Sequence, residues 1–198
     1  TTVSIPTGIA PGAYYFGAYA DYWGYQYEAD ENNNGLAGNQ IQIQGPDLVM
    51  TEVSGPATAY TAEAITVTNT VKNNGPGRAS GFYVAVYLSA DADITASDAL
   101  LGYRYVSGLG SGETSTEATA VTVPGSLASG TYYLGAIADG FGYVPESDEI
   151  NNTITGSQTA VTGPDLTMTT VSGPATALTN GTVTISNTVV TSAGGTSG

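Results

Sequence analysis

The chain contains no cysteine and no histidine, and only three of its 198 residues are Lys or Arg. Without cysteine there is neither a disulfide framework nor a thiolate metal site, and without histidine the commonest zinc ligand is missing. No Ser-His-Asp or Cys-His arrangement can be drawn, and nothing signals a cleft around the carboxylates that remain. The expectation is that the chain is not an enzyme. Seventeen Asp and Glu against three cations leave a formal net charge of -14. That charge repels nucleic acid and anionic membrane surfaces and makes cations the natural small partners. No apolar run approaches the ~20 residues of a membrane span and no signal-peptide pattern stands at the start, so membrane insertion is not expected in this segment. Charged residues are only 10% of the chain, far below the roughly 25% of an ordinary soluble domain. Thr, Ser, Gly, Ala and Asn take their place, a composition that suits an extracellular structural polymer.

What is present in quantity is self-similarity. Shifted by 118 residues, 3–71 match 121–189 without insertion or deletion. VSIPTGIAPGAYYFGAYADYWGYQYEADENNN returns as VTVPGSLASGTYYLGAIADGFGYVPESDEINN, and GPDLVMTEVSGPATAYTAEAITVTNTV returns as GPDLTMTTVSGPATALTNGTVTISNTV. A fixed period of this length means arrayed modules. With Gly45 as a start, residues 45–162 are one complete unit, 1–44 are the tail of a preceding unit and 163–198 are the head of a following one. Residues 81–118 occur only once and have no counterpart in either flank. Neither flank is expected to fold alone, because roughly 40 residues without disulfide or metal bury too little surface.

Ile65, Val67, Asn69 and Val71 alternate with Thr66, Thr68 and Thr70, the period-2 pattern of a half-buried strand rich in β-branched residues. Phe82, Val84, Val86 and Leu88 share one face of a second strand. Thr119, Val121 and Val123 share a face of a third, and Tyr132, Leu134, Ala136 and Ala138 a face of a fourth. Pro and Gly punctuate these runs, and helix signals are weak. About seven strands in one period predict an all-β fold, an immunoglobulin-like antiparallel β-sandwich repeated along the chain. The segments Ile9-Ala-Pro-Gly-Ala-Tyr-Tyr15 and Leu127-Ala-Ser-Gly-Thr-Tyr-Tyr133 follow the spacing of a tyrosine corner. That spacing points to Tyr15 and Tyr133, with the adjacent tyrosines as the alternative.

The opening P-D-L, the V-x-N-x-G-x-G turn, the stretch FYVAVYLSADADITASDALLG, then GTYYLGAIAD and the closing ESDEINN together resemble CARDB repeats, the cell adhesion related domain found in bacteria. The resemblance covers essentially the whole chain and departs from the family pattern chiefly at Asn73-Asn74-Gly75, where one polar residue varies, and at 190–198, where the asparagine pair is lost. It implies an immunoglobulin-like fold and an extracellular or cell-surface setting in a bacterium or archaeon, and it says little about ligands.

Two acidic clusters are candidate metal ligands. Asp91, Asp93 and Asp98 have spacings that bring carboxylates to one side of a tight loop, and Ca2+ takes six to eight hard oxygens at flexible angles. The competing reading has Asp91 in an Asx-turn and Asp98 capping a short turn. The second cluster is Asp139, Glu146, Asp148 and Glu149 beside Asn151 and Asn152, and its copy is Asp21, Glu28, Asp30 and Glu31. Without nearby Lys or Arg, such carboxylates are solvated, protonated or metal-bound, while paired asparagines also serve loop backbones. Ca2+ is therefore a candidate cofactor. The aromatic loop at 22–27, with its copy at 140–145, suits packing between modules or stacking on a sugar.

Three functions follow. The first is an extracellular structural or adhesive repeat that assembles head to tail into a filament or stalk, its partners being copies of itself. Calcium and strand sharing between copies would stabilise that assembly. The second is a ligand- or carbohydrate-binding adhesin module, and the third an accessory domain of a secreted enzyme. An unvarying repeat favours the first, because stacking demands that each module present the same surface to the next. The offset frame permits strand donation between subunits, and equally a window of a longer repetitive protein. The intact mass of the native subunit separates these.

Overall fold

A computed structural model describes residues 1–6 and 8–191; residues 7 and 192–198, and with them part of the departure from family pattern noted at 190–198, lie outside the described residues. The described residues form twelve strands: β1 (Gly12–Tyr19), β2 (Gly35–Ile43), β3 (Leu48–Ser54), β4 (Thr58–Tyr60), β5 (Ala64–Asn73), β6 (Phe82–Ser89), β7 (Ala99–Val106), β8 (Thr114–Thr122), β9 (Gly130–Ala138), β10 (Thr153–Thr162), β11 (Leu166–Ser172) and β12 (Ser186–Thr191).

Strands β3 to β10 make a two-layer sandwich. One sheet has the order β3-β5-β8 and the other β4-β10-β9-β6-β7. All pairings are antiparallel except β4 with β10, where Thr58 to Tyr60 run parallel to Ala160 to Thr162. The period-2 pattern of the sequence explains which faces meet. Val67 and Val71 of β5 point across the layer gap at Val84 and Val86 of β6 and at Leu134 and Ala136 of β9, and all are fully buried. These side chains, with Leu48 and Phe82, belong to one continuous apolar cluster, and burial of each large one contributes about 1.5–3 kcal/mol relative to exposure.

Two polar features close this core. Arg104 of β7 donates from Nε to Asn69 Oδ1 at 2.6 Å and from Nη1 and Nη2 to Ser115 of β8, each at 2.9 Å. The side-chain amide of Asn69, fully buried on β5, donates onward to the Thr119 hydroxyl at 3.1 Å. The guanidinium thereby ties the edge of one sheet to the edge of the other. Its burial lowers the Arg104 pKa, and Glu117 at 3.8 Å opposes that shift. The second feature is the tyrosine corner, and here the sequence expectation is corrected. Tyr132 donates to the Ala128 carbonyl at 2.9 Å and Tyr14 to the Ala10 carbonyl at 2.9 Å. Tyr133 and Tyr15 are not the corner residues. The reason is strand parity: Tyr132 shares the inward face of Leu134 and Ala136 and packs against the main core, whereas Tyr133 lies on the opposite face.

Outside the sandwich stand two hairpins, β1–β2 and β11–β12, each a separate two-stranded sheet. Their registers copy those inside the sandwich. Gly12 faces Ile43 and Tyr19 faces Gly35, as Gly130 faces Val161 and Ile137 faces Thr153, with a register shift at the same point. Leu166 faces Thr191 and Ser172 faces Ser186, as Leu48 faces Asn73 and Ser54 faces Thr68.

Candidate functional site at the module joint

The chain passes from β2 to β3 through Gln44, Gly45, Pro46 and Asp47, and three of the family-like motifs meet on this connection. The Gly45 carbonyl accepts the Gly77 N–H at 3.1 Å and the Pro46 carbonyl accepts the Ser147 N–H at 2.8 Å. The Asp47 N–H donates to Asn73 Oδ1 at 3.1 Å, and its carbonyl accepts the Asn74 N–H at 2.7 Å. Its carboxylate accepts from Asn151 Nδ2 at 2.9 Å, and the Leu48 N–H donates to Glu146 Oε2. The P-D-L motif is thus gripped between the V-x-N-x-G-x-G turn on one side and the E-x-x-E-x-N-N loop on the other. Four of these groups belong to the connection's own backbone and would otherwise seek water, so the grip replaces solvent with fixed partners.

Glycine is required where the backbones close in. A Cβ at Gly75 would stand 2.6 Å from the backbone of Gly45, Pro46 and Asp47, and one at Gly77 would stand 2.7 Å from the Gly45 carbonyl carbon. At Gly45 itself a Cβ would lie 2.2 Å from Pro11 Cγ, so the turn before β1 presses on the connection from the preceding unit. The same contact recurs 118 residues on: Gly163 lies against Ser129, the counterpart of Pro11, and its N–H donates to the Ser129 hydroxyl at 2.9 Å. Gly45 and Pro46 are buried, which distinguishes this connection from a flexible linker.

Every acidic residue expected to bind metal can now be placed. Asp139 sits at φ 46° and accepts the Tyr143 and Val144 N–H groups at 3.0 and 2.7 Å; Asp21, at φ 43°, does the same for Tyr25 and Gln26 at 2.9 and 2.7 Å. Glu149 accepts the Glu146 N–H at 2.8 Å and Glu31 the Glu28 N–H at 3.0 Å. Asp148 accepts the Ile150 N–H, and Asp30 the Asn32 N–H. Asp91 accepts the Asp93 N–H at 2.9 Å, and Asp98 accepts the Thr95 N–H at 2.7 Å. Asp93 and Glu28 are exposed. Among the described residues no three of Asp, Glu, His and Cys stand together as a group able to hold a metal ion. Asp21, Asp30, Glu31, Asp91, Asp98, Asp139, Asp148 and Glu149 cap loop amides as they stand.

The 91–98 loop has a further purpose that its acidic spacing hid. Ile94 is buried against Ala85 and Tyr87 on the outer face of the larger sheet. A Cβ at Gly135 would come within 2.4 Å of Ile94 Cγ1, so that glycine leaves the seat for the isoleucine. The Thr155 hydroxyl donates to the Ala92 carbonyl at 2.7 Å and fastens the loop's other side.

Asp139 and Glu146 are the two buried acids among these, and Glu146 is the one that reaches the joint. Burial pushes its carboxyl up to about 7, partly opposed by the Leu48 N–H and Asn152, while Glu149 and Asp139 push it further up. Burial likewise raises Asp139, against the pull of its two amides. Asn152 Nδ2 donates to Glu146 Oε1 at 2.7 Å, and the Oδ1 atoms of Asn151 and Asn152 are buried without a hydrogen-bond partner.

The aromatic loop also divides. In the complete unit Phe141 and Tyr143 join Tyr83 of β6 at ring distances of 5.5 and 6.2 Å, and Tyr103 and Tyr105 of β7 surround the same Tyr83 at 5.3 and 5.2 Å. Sequence reading missed these strand tyrosines, although their outward parity on β6 and β7 was available. In the copy, Trp23 has Tyr22 at 5.1 Å, and Tyr25 and Tyr27 are exposed.

The family model for CARDB matches residues 45–156, the sandwich together with its gripped connection. The chain belongs to the CARDB family. CARDB domains are cell-adhesion-related modules, and among the described residues no helix is long and apolar enough to cross a membrane. Among solved structures, a CARDB domain from Pyrococcus furiosus in complex with di-metal ions is 26% identical, covering 59% of this chain and 94% of that one with a TM-score of 0.44. A domain of a Methanosarcina acetivorans protein described as a cell surface protein is 24% identical, covering 59% and 92% with a TM-score of 0.44. A beta-glucosidase from Listeria innocua is 18% identical, covering 69% of this chain and 19% of that one with a TM-score of 0.37. No curated protein gives a match.

Proposed function

We propose that this CARDB chain is an extracellular or cell-surface structural repeat of a bacterium or archaeon, and that its units join head to tail into a stalk or filament. The domain division behind this reading is 1–44, 45–162 and 163–198. The observation that carries it is the pair of hairpins whose registers equal those of the sandwich while their core faces lie in water. Leu166 is 58% exposed where its counterpart Leu48 is 0%, and Phe16 is 42% exposed where Leu134 is 0%. A two-stranded sheet with an open apolar face is marginal by itself, and exposed patches of this kind mark association surfaces. The occupant that fits the β1–β2 hairpin is the 163–198 half-repeat of a neighbouring copy, which corresponds to residues 45–80 of the complete unit. The gripped joint supports the same reading, because a connection fixed on both sides transmits tension and holds successive units at one angle.

Sedimentation velocity of the 198-residue chain tests this. Expected are concentration-dependent oligomers that disappear when residues 163–198 are removed. A monomer at high concentration, with both hairpins protease-labile, would overturn the assembly reading. Calcium stabilisation is a finer part of the proposal. The acidic loops support it, and the amides already held by those carboxylates limit it to a small effect.

A further inference from the structure

Resting on the head-to-tail reading, we infer the pairing by which two copies join: residues 176–178 of one copy add as a parallel strand to the free edge of β2 in another, with Thr176 opposite Gln42, Ala177 opposite Ile43 and Leu178 opposite Gln44. The template lies in the same molecule. Inside the sandwich β4 covers the outer edge of β10 in this way, Thr58 opposite Ala160, Ala59 opposite Val161 and Tyr60 opposite Thr162. Two bonds outside the ladder extend it, Ala160 N–H to the Ala57 carbonyl at 2.9 Å and Thr61 N–H to the Thr162 carbonyl at 3.0 Å. Their counterparts are Gln42 N–H to the Ala175 carbonyl and Thr179 N–H to the Gln44 carbonyl.

Both halves of this pairing are present and unused. Strand β2 is bonded to β1 alone, which leaves its second edge without a strand among the described residues. Residues 176–178 belong to no strand, and Leu178 is 85% exposed. In the template, Ala59 and Val161 are both buried in the core; the donated segment places Ala177 and Ile43 in the same positions. The main-chain ladder supplies affinity, and the alternating side chains set the register. An unpaired edge beside an unpaired segment of matching pattern is the arrangement that recruits a second chain.

The absence of cysteine gives a clean test. Chains carrying only Gln42→Cys are mixed with chains carrying only Thr176→Cys under mild oxidation, and in parallel with chains carrying only Thr182→Cys. Neighbouring strands lie about 4.8 Å apart, within the range of roughly 4.4–6.8 Å that a disulfide spans. The expected result is a covalent heterodimer of twice the 20.0 kDa chain mass from the first mixture, with loss of that product in the second. Sedimentation of the unmodified chain is run alongside. Oligomers without the 42–176 product, or with equal product from 42–182, overturn this register and leave head-to-tail assembly standing. A monomer in every sample overturns both. All three sites are exposed, so the substitutions do not disturb the core.

Discussion

The β3–β5 and β11–β12 hairpins are nearly the same sequence folded in the same register, and they end in opposite environments. Val67 and Val71 are fully buried, whereas Ile185 and Val189 are 59% and 49% exposed. The difference teaches that strand pairing here is a local property and burial is not. Cross-strand pairs and the turn set the register with or without an opposite sheet. Stabilisation by the hydrophobic effect arrives only when β6 and β9, or their equivalents, cover the face.

The largest test of this comparison is truncation of the same residue in the two settings. Leu48→Ala should destabilise the sandwich by about 2–5 kcal/mol, as deletion of a buried leucine side chain does, read as a lowered urea midpoint. Leu166→Ala should leave the sandwich transition within about 0.5 kcal/mol, as exposed substitutions do, while weakening oligomers in sedimentation. Equal effects on the sandwich transition would break the comparison.

The two joints offer a second, smaller contrast. Gly45→Ala forces a Cβ to 2.2 Å from Pro11 Cγ and should cost about 1–3 kcal/mol, the usual range for overpacking. Gly163→Ala meets the Ser129 hydroxyl at 3.3 Å and the Thr61 side chain at 3.7 Å, and should cost under about 0.5 kcal/mol. Thermal melts of the two variants against the parent chain check this, and a cost at Gly163 equal to that at Gly45 would show the joints to be alike.

A third test separates the gripped loop from its exposed copy by pH. The folded pKa of Glu146 lies above its ordinary 4.5, at about 7. Between these values the folded state holds the proton more tightly than the unfolded one, so this group makes stability fall as pH rises from about 4.5 to about 7. Glu146→Gln removes the titration and should flatten that part of the profile, whereas Glu28→Gln in the exposed copy should leave the thermal midpoint near the parent value, as exposed substitutions do. A parent slope that persists in Glu146→Gln would assign it to another group.

The smallest expected effect is calcium. Extracellular modules hold the ion at around 10⁻⁴–10⁻³ M, so a few millimolar should raise stability by about 1 kcal/mol over chelator. Superimposable melts would remove calcium from the proposed function.

Much of the sandwich was legible because alternation along one strand is a local signal. The faces of Val67, Val84, Leu134 and Ala136 followed from period 2, and the same parity would have chosen Tyr132 over Tyr133 for the corner. The grip on Pro46-Asp47-Leu48 was not legible. Leu48 and Glu146 lie 98 residues apart in the chain, and no periodicity joins them. Acid spacing was also ambiguous by itself, since a carboxylate that caps an amide and one that binds an ion occur in the same loop sequences.

By itself the sequence determined the strands, their faces, the period of 118 and the hairpin registers, because each depends on neighbours along the chain or on one tight turn. Only the tertiary structure decided which of two equal hairpins is buried, which carboxylate is lifted to about 7, and where glycine has no room for a Cβ. Those outcomes depend on atoms brought together from distant segments, and desolvation and steric exclusion act only once they meet.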